Sequence, residues 1–237
     1  MNNKLIYTPK KSLDIALSAI LNGISIFLVI SLFLIAIFMS SHVYYNVKGT
    51  SMEPNILQAS TNYAGDACYV EKGSKFSYGD IIVAEKDRTK DVVKRVIAMG
   101  GDKVGYYFNT ETGFYEVLLI KKDLEPKILD ENYLFEKVNE SQKALMQANN
   151  EYSYNKFITH ITSLEDYNFN GQIVKVFNVP ENQLFLLGDN RATSIDSSEY
   201  GAVPEKNVIG KVVLITKQGT FPVWDMIAQS INKILGI

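Results

Sequence analysis

The sequence is poor in the residues from which most hydrolytic and metal sites are built. Its 237 residues include a single cysteine, Cys68, so neither an intramolecular disulfide framework nor a cysteine-based zinc site can form. Cys68 reads better as a small buried apolar residue than as a nucleophile. The two histidines, His42 and His160, sit in no recognisable motif, and the Gly-x-Ser-x-Gly elbow is missing, which argues against a Ser–His–Asp triad. An excess of charge of one sign is lacking too. With 24 basic and 26 acidic residues the net charge is −2, so no basic surface supports a nucleic-acid partner. Internal repeats and βαβ alternation are absent. The oxygen-rich stretch from Asp189 to Asp196 lacks the terminal Glu and the ligand spacing of an EF-hand, so no metal and no cofactor is expected.

What the chain does have is one long charge-free run. Ile20 to Met39 is dominated by Ile, Leu, Phe and Val, and as a helix it would be about 30 Å long, the thickness of a bilayer's hydrocarbon core. A cleaved secretory signal would have a shorter apolar region ending at a small-x-small site. A transmembrane helix is therefore expected over 18–41, with Asp14 at or before the boundary. Lys4, Lys10 and Lys11 precede the run, whereas Ser40 to Val47 carries no Lys or Arg. By the positive-inside rule the short N-terminus, 1–17, is cytoplasmic and residues 42–237 form an extracytoplasmic domain. The lipid bilayer is thus a partner.

Beyond the run the hydrophobic pattern becomes short and alternating. Residues 81–84, 92–97, 172–179, 184–187 and 207–216 read as strands, with Tyr78-Gly79-Asp80 and Gly100-Gly101-Asp102 as turns. The fold class is mostly β. From Gly105 to Gly171 the chain is more polar and less regular, and reads as an inserted α/β subdomain. Within it Glu131–Asn149 has helix-forming composition, with Leu134, Val138, Leu145 and Met146 as inward positions. Over 221–236, Trp224, Ile227, Ile231 and Ile234 recur at helical spacing, the stripe of an amphipathic helix that packs either on the core or on the membrane.

Three separated segments carry the chemistry: Gly49-Thr50-Ser51-Met52-Glu53-Pro54, Val92-Val93-Lys94-Arg95-Val96-Ile97, and Gly188-Asp189-Asn190-Arg191-Ala192-Thr193-Ser194-Ile195-Asp196-Ser197-Ser198. Each alone is a common pattern. In this order, behind one N-terminal apolar run, they resemble the boxes of the type I signal peptidases, membrane-anchored serine proteases of family S26. The resemblance leaves out the Gly105–Gly171 segment. It implies a signal-peptidase-like β fold and endoproteolytic removal of signal peptides from secretory preproteins.

By the same resemblance Ser51 is the nucleophile and Lys94 the general base. A hydroxyl is a weak nucleophile until a base takes its proton, and a lysine is a base only when burial lowers its pKa. Val92, Val93, Val96 and Ile97 make a dry setting plausible, and strand alternation sends Lys94 and Arg95 to opposite faces. Ser194 corresponds to the serine that holds the lysine amine. Asp189 and Asp196 correspond to structural acids, with Arg95 as the partner of one of them. Gly49 stands where some members supply a serine to the oxyanion, leaving the hole to backbone N–H groups, chiefly that of Ser51. Ser198 replaces the family's later arginine, which removes an expected partner of Asp196. Ile56, Val92 and Val93 align with pocket walls for small residues, and the substrate would add as a β-strand. An extended chain from Ser40 to Ser51 reaches at most about 40 Å, so Ser51 works near the bilayer. Two alternatives stay open: a specialised processing protease of the same clan, serving a pilus or conjugation system, and an inactive membrane-tethered homologue. A self-cleaving repressor is disfavoured by the apolar run and by the lack of a basic DNA-binding module.

Overall fold

The computed structural model describes residues 9–87, 90–134 and 138–236. Lys4 therefore lies outside the described residues. The chain forms two compact units, one made of the N-terminal part up to His42 with the segment from Phe221 onward, the other of Val43–Thr220.

In the first unit, helix α1 (Pro9–Ser41) runs for 33 residues, about 50 Å at 1.5 Å per residue. It begins at a proline, whose fixed φ and missing N–H suit the first turn. The apolar run lies inside it, and Asp14 is also helical. Its Ile, Leu and Phe side chains are exposed almost throughout, as in Ile26, Phe27 and Phe33. Among the described residues one helix, Ser12–Ser41, is thus long and apolar enough to cross a membrane. Helix α5 (Val223–Leu235) belongs to the same unit. The apolar stripe is not the face it buries: Met226 and Ser230 are buried, whereas Trp224, Ile231 and Ile234 are exposed. The Ser230 hydroxyl donates to the Leu34 carbonyl of α1 at 2.8 Å.

The second unit is built on two antiparallel sheets. The larger contains β1 (His42–Asn46), β2 (Asp66–Lys72), β3 (Ile81–Asp87), β4 (Lys90–Met99), β10 (Gln183–Leu187), β11 (Val203–Pro204) and β12 (Val208–Lys217). Their spatial order is β1-β2-β12-β3-β4-β10-β11. The smaller contains β5 (Lys103–Asn109), β6 (Phe114–Ile120), β7 (Lys127–Ile128), β8 (Leu164–Phe169) and β9 (Gln172–Asn178), in the order β7-β6-β5-β9-β8. The mostly β expectation holds. All five expected strand regions are strands, and the 105–171 segment supplies most of the second sheet. A shared core cluster takes Ile97 and Ala98 from β4, Val104 and Tyr106 from β5, Phe177 from β9, and Phe185 and Leu187 from β10. Cys68 is fully buried with Val70, Val83 and Ile56, and burial pushes its thiol up to about 12, which leaves it inert as a nucleophile.

The helical part of the 105–171 segment differs from its sequence reading. A 3₁₀ turn covers Asn132–Leu134, and α2 (Glu140–Ala148) starts only where Asn139 and Gln142 form a reciprocal capping box. Leu134 is buried, but Leu145 points to solvent, and Val138 and Met146 are half-buried. A second helix, α3 (Asn150–His160), follows at once. Its polar sequence gives little local signal. Packing forms it: Phe157 enters the core, and the Ser153 hydroxyl meets that of Tyr106 at 2.6 Å. The last helix of this unit, α4 (Ser197–Tyr200), is one turn capped by Asp196, whose side chain accepts from the Ser198 N–H.

Candidate active site

Strand β4 carries two buried cations in succession, and the alternation of strand side chains sends them to different partners. Lys94 is 3% exposed, and its Nζ donates to Ser51 Oγ at 2.7 Å. Burial lowers its pKa from the ordinary 10.5 to about 8, against the opposing pull of Asp196 and Asp189. Arg95 turns to Asp189, donating from Nε at 2.8 Å and from Nη2 at 2.6 Å, and to the Gly79 carbonyl at 2.7 Å. Burial disfavours its charge, but the paired carboxylate outweighs this and holds Arg95 above its usual value. A bidentate pair of this kind fixes orientation as well as charge.

Ser51 sits in the loop that follows β1. Its neighbour Gly49 has φ +93°, a left-handed conformation that a serine would adopt only under strain. Turns from Thr50 to Glu53 and from Met52 to Ile56 tighten the loop. The Ser51 carbonyl accepts from the Asn190 N–H at 3.0 Å, and Thr50 and Thr193 hydroxyls lie 3.3 Å apart, so the 188–194 loop clamps the serine from one side. Gly188 makes that approach possible: a Cβ there would collide with the Ser51 carbonyl and with Ser194 Oγ. The Ser51 N–H makes no hydrogen bond among the described residues and is free to donate to a developing oxyanion.

Asp196 is fully buried, and its partners are neutral: the Gly188 N–H at 2.9 Å, the Ser198 N–H at 3.1 Å and the Ser198 hydroxyl at 2.7 Å. Ser198, which replaces an arginine of the pattern, thus satisfies Asp196 by hydrogen bonds. Ser194 is also buried, but among the described residues its hydroxyl has no partner, the Lys94 amine included. Two of the three expected pocket residues, Val92 and Val93, line a groove of ≈ 470 Å³ that also takes in Ser51, Lys94, Tyr45 and Ile195. Ile56 does not line it. It is fully buried beneath the groove, packed with Met52 and Val83.

The groove runs beside an open stretch of strand. Strand β10 pairs only with Arg95–Met99 of β4, while β3 pairs with the whole of Lys90–Arg95. Lys90–Lys94 therefore has β3 on one side and, among the described residues, no strand on the other. Such an edge can accept an extended peptide by main-chain hydrogen bonds.

Several supporting contacts have no sequence signal. Asn55 Nδ2 donates to Asp189 at 2.8 Å and to the Tyr133 carbonyl at 3.0 Å, and the Arg95 guanidinium lies 4.0 Å from the Tyr133 ring centroid. Arg191 is 2% exposed. It pairs with Glu131 and donates to the Gly188 carbonyl at 3.0 Å and to Asn150 Oδ1 at 3.0 Å. From α3, Lys156 Nζ donates to the Ser194 carbonyl at 2.5 Å and to that of Arg191 at 3.3 Å. The 105–171 segment thus reaches the loop behind the serine through Glu131, Tyr133, Asn150 and Lys156. Among the described residues no group of His, Cys, Asp and Glu is arranged to hold a metal ion.

The chemistry open to this arrangement is narrow. A hydroxyl hydrogen-bonded to an amine that titrates near 8 can lose its proton to that amine and attack a carbonyl laid along the groove.

The family model for signal peptidases, peptidase S26, matches residues 19–217. A signal peptidase I of Streptococcus pneumoniae serotype 4 is 31% identical over 216 residues, covering 84% of this chain and 95% of its own. A signal peptidase I of Aquifex aeolicus is 30% identical over 206 residues, covering 75% of this chain and 77% of its own. A solved structure of a signal peptidase I from Enterococcus faecalis V583 superposes on 59% of this chain and 98% of its own at 23% identity, with a TM-score of only 0.36. The extent of the sequence match makes the assignment plain: this chain belongs to the signal peptidases, peptidase S26, a family of serine endopeptidases.

Proposed function

We propose that this protein removes N-terminal signal peptides from exported preproteins, with Ser51 as nucleophile and Lys94, neutral when it acts, as general base. The observation that carries the reading is the 2.7 Å hydrogen bond between Lys94 Nζ and Ser51 Oγ, with Lys94 buried and its pKa lowered to about 8. The preprotein's cleavage region lies extended along the groove and pairs with the open edge of Lys90–Lys94. Lys94 takes the Ser51 proton as Oγ adds to the scissile carbonyl, and the Ser51 N–H donates to the oxyanion. The protonated Lys94 then gives its proton to the leaving amine. This frees the mature protein and leaves the signal peptide esterified to Ser51. With Lys94 neutral again, water attacks the ester and regenerates the serine. Val92 and Val93 contribute apolar groove walls that favour small residues before the cut.

The same reading assigns the membrane topology. Residues 18–41 of α1 cross the bilayer, residues 1–17 are cytoplasmic, and the catalytic unit is extracytoplasmic. The lysines before the apolar run and their absence after it support this direction. The experiment that tests the function is cleavage of a preprotein bearing an Ala-x-Ala site by purified protein in detergent. The wild type should cut after the second Ala, and Ser51→Ala should not. Cutting by both would remove Ser51 from the mechanism. Cutting by neither, from folded protein, would point to a dedicated substrate of a specialised processing protease.

A further inference from the structure

Helix α5 turns its apolar stripe away from α1. Trp224 is 70% exposed and Leu235 64%, and Ile231 and Ile234 are exposed beside them. The face that packs is a different one, Met226 and Ser230, one turn apart. A third arc carries Asp225, Gln229, Asn232 and Lys233. A helix of a water-soluble unit would bury the stripe and expose only the polar arc.

What covers the stripe follows from where α5 is docked. Ser230 Oγ donates to the carbonyl of Leu34, and the Trp224 ring lies 6.3 Å from that of Phe27. Phe27 and Leu34 both lie in the charge-free stretch of α1, whose own side chains are exposed and apolar. The two contacts are seven residues apart on α1 and six apart on α5, so the helices run side by side and in the same direction. Whatever medium surrounds α1 at Phe27 and Leu34 therefore surrounds α5 as well.

We propose that α5 is a second membrane-contacting element, lying in lipid along the Ser41-proximal half of α1, with Trp224, Ile231, Ile234 and Leu235 against acyl chains. The proposal rests on reading α1 as a membrane span. Thirteen residues make about 20 Å of helix, too short to cross a hydrocarbon core of about 30 Å, so α5 occupies one leaflet only. Lys233 in the last turn is at the Ser41-proximal end, within reach of the headgroups, whereas Trp224, beside Phe27, lies toward the bilayer centre.

Trp224 is the only tryptophan in the sequence, so its emission reports α5 and nothing else. The full chain is reconstituted into phosphatidylcholine–phosphatidylglycerol vesicles, with and without brominated acyl chains, and flotation is measured on the same samples. Expected are flotation, loss of most of the Trp224 emission with brominated lipid, and little quenching by aqueous iodide. Trp224→Phe with Ile231→Trp should behave alike, whereas Trp224→Phe with Asn232→Trp should be more accessible to iodide. Protein that floats but whose Trp224 ignores brominated lipid would overturn the placement of α5 and leave the anchor standing. Protein that does not float would overturn both.

Discussion

Replacing Lys94 by methionine should abolish cleavage and, at neutral pH, make the protein more stable. Lys94 is 3% exposed, and its pKa is lowered from 10.5 to about 8, chiefly by burial. The folded protein thus resists protonation of this amine more than the unfolded chain does. The sign follows from linkage: between pH 8 and 10.5 the unfolded state binds more protons, so the wild type gains stability as pH rises through that window. Below pH 8 the full penalty applies, and above 10.5 it is gone. At about 1.4 kcal/mol per pH unit, the interval from 10.5 to about 8 corresponds to roughly 3 kcal/mol. Methionine has a similar length and no charge, so the variant escapes this penalty. It loses the hydrogen bond to Ser51, worth about 1 kcal/mol, because the half-buried serine can turn to groove water. A net gain of roughly 2 kcal/mol is expected at pH 7. The assay is urea unfolding in detergent, followed by far-ultraviolet circular dichroism at pH 7 and at pH 10.5, with wild type and variant side by side. The variant should unfold at higher urea at pH 7, and the gap should close or reverse at the higher pH. An equal or lower midpoint for the variant at pH 7 would refute a lysine strained toward neutrality by burial.

Three further substitutions probe the support of the site. Gly188→Ala should remove most activity and destabilise the protein by roughly 1–3 kcal/mol, because the new methyl collides with the Ser51 carbonyl and with Ser194; steady-state cleavage and thermal unfolding read both effects. Asp189→Ala leaves Arg95 buried without its carboxylate and should cost about 3–5 kcal/mol in the same unfolding assay, far more than the loss of an exposed pair such as Lys175–Asp166. Ser194→Ala removes a buried hydroxyl that has no partner, so stability should be unchanged or rise by up to about 1 kcal/mol. A fall in cleavage rate for that variant at full stability would mean that the hydroxyl turns to Lys94 during turnover, and an unaffected rate would deny it an orienting role.

The parts of the fold that could be read in advance are those whose signal is local. A charge-free run of lipid-spanning length has one common outcome, and α1 forms there. Strands β3, β4, β9 and β12 are rich in β-branched residues, β10 is a short Leu and Phe run, and each forms where that composition lies. Lys94 and Arg95 could be sent to opposite faces because a strand alternates by construction. What could not be read depends on distant partners. Arg191 meets Glu131 across 60 positions and Arg95 lies on Tyr133 across 38, and no short pattern encodes either contact. Helix α3 draws its stability from Phe157 and Ser153 in the core, so its polar composition misleads. In α5 the periodicity was legible but the choice of face was not, because the stripe and the Met226–Ser230 face are both compatible with packing. Ser194 lies with the Ser51 carbonyl against Gly188 but, among the described residues, lacks the contact its position suggests.

The Arg95–Asp189 pair and the Asp196 cradle leave Lys94 with one hydrogen-bond partner among the described residues, Ser51, so proton removal from the serine is the step most exposed to pH. The most direct test is the pH dependence of kcat/KM for an Ala-x-Ala preprotein between pH 6 and 10, on protein shown to remain folded throughout. Activity should rise about tenfold per unit at low pH and level off through an apparent pKa near 8, with Lys94→Met inactive at every pH. A profile that stays flat across this range, or cleavage retained by Lys94→Met, would contradict a neutral Lys94 as the base that activates Ser51.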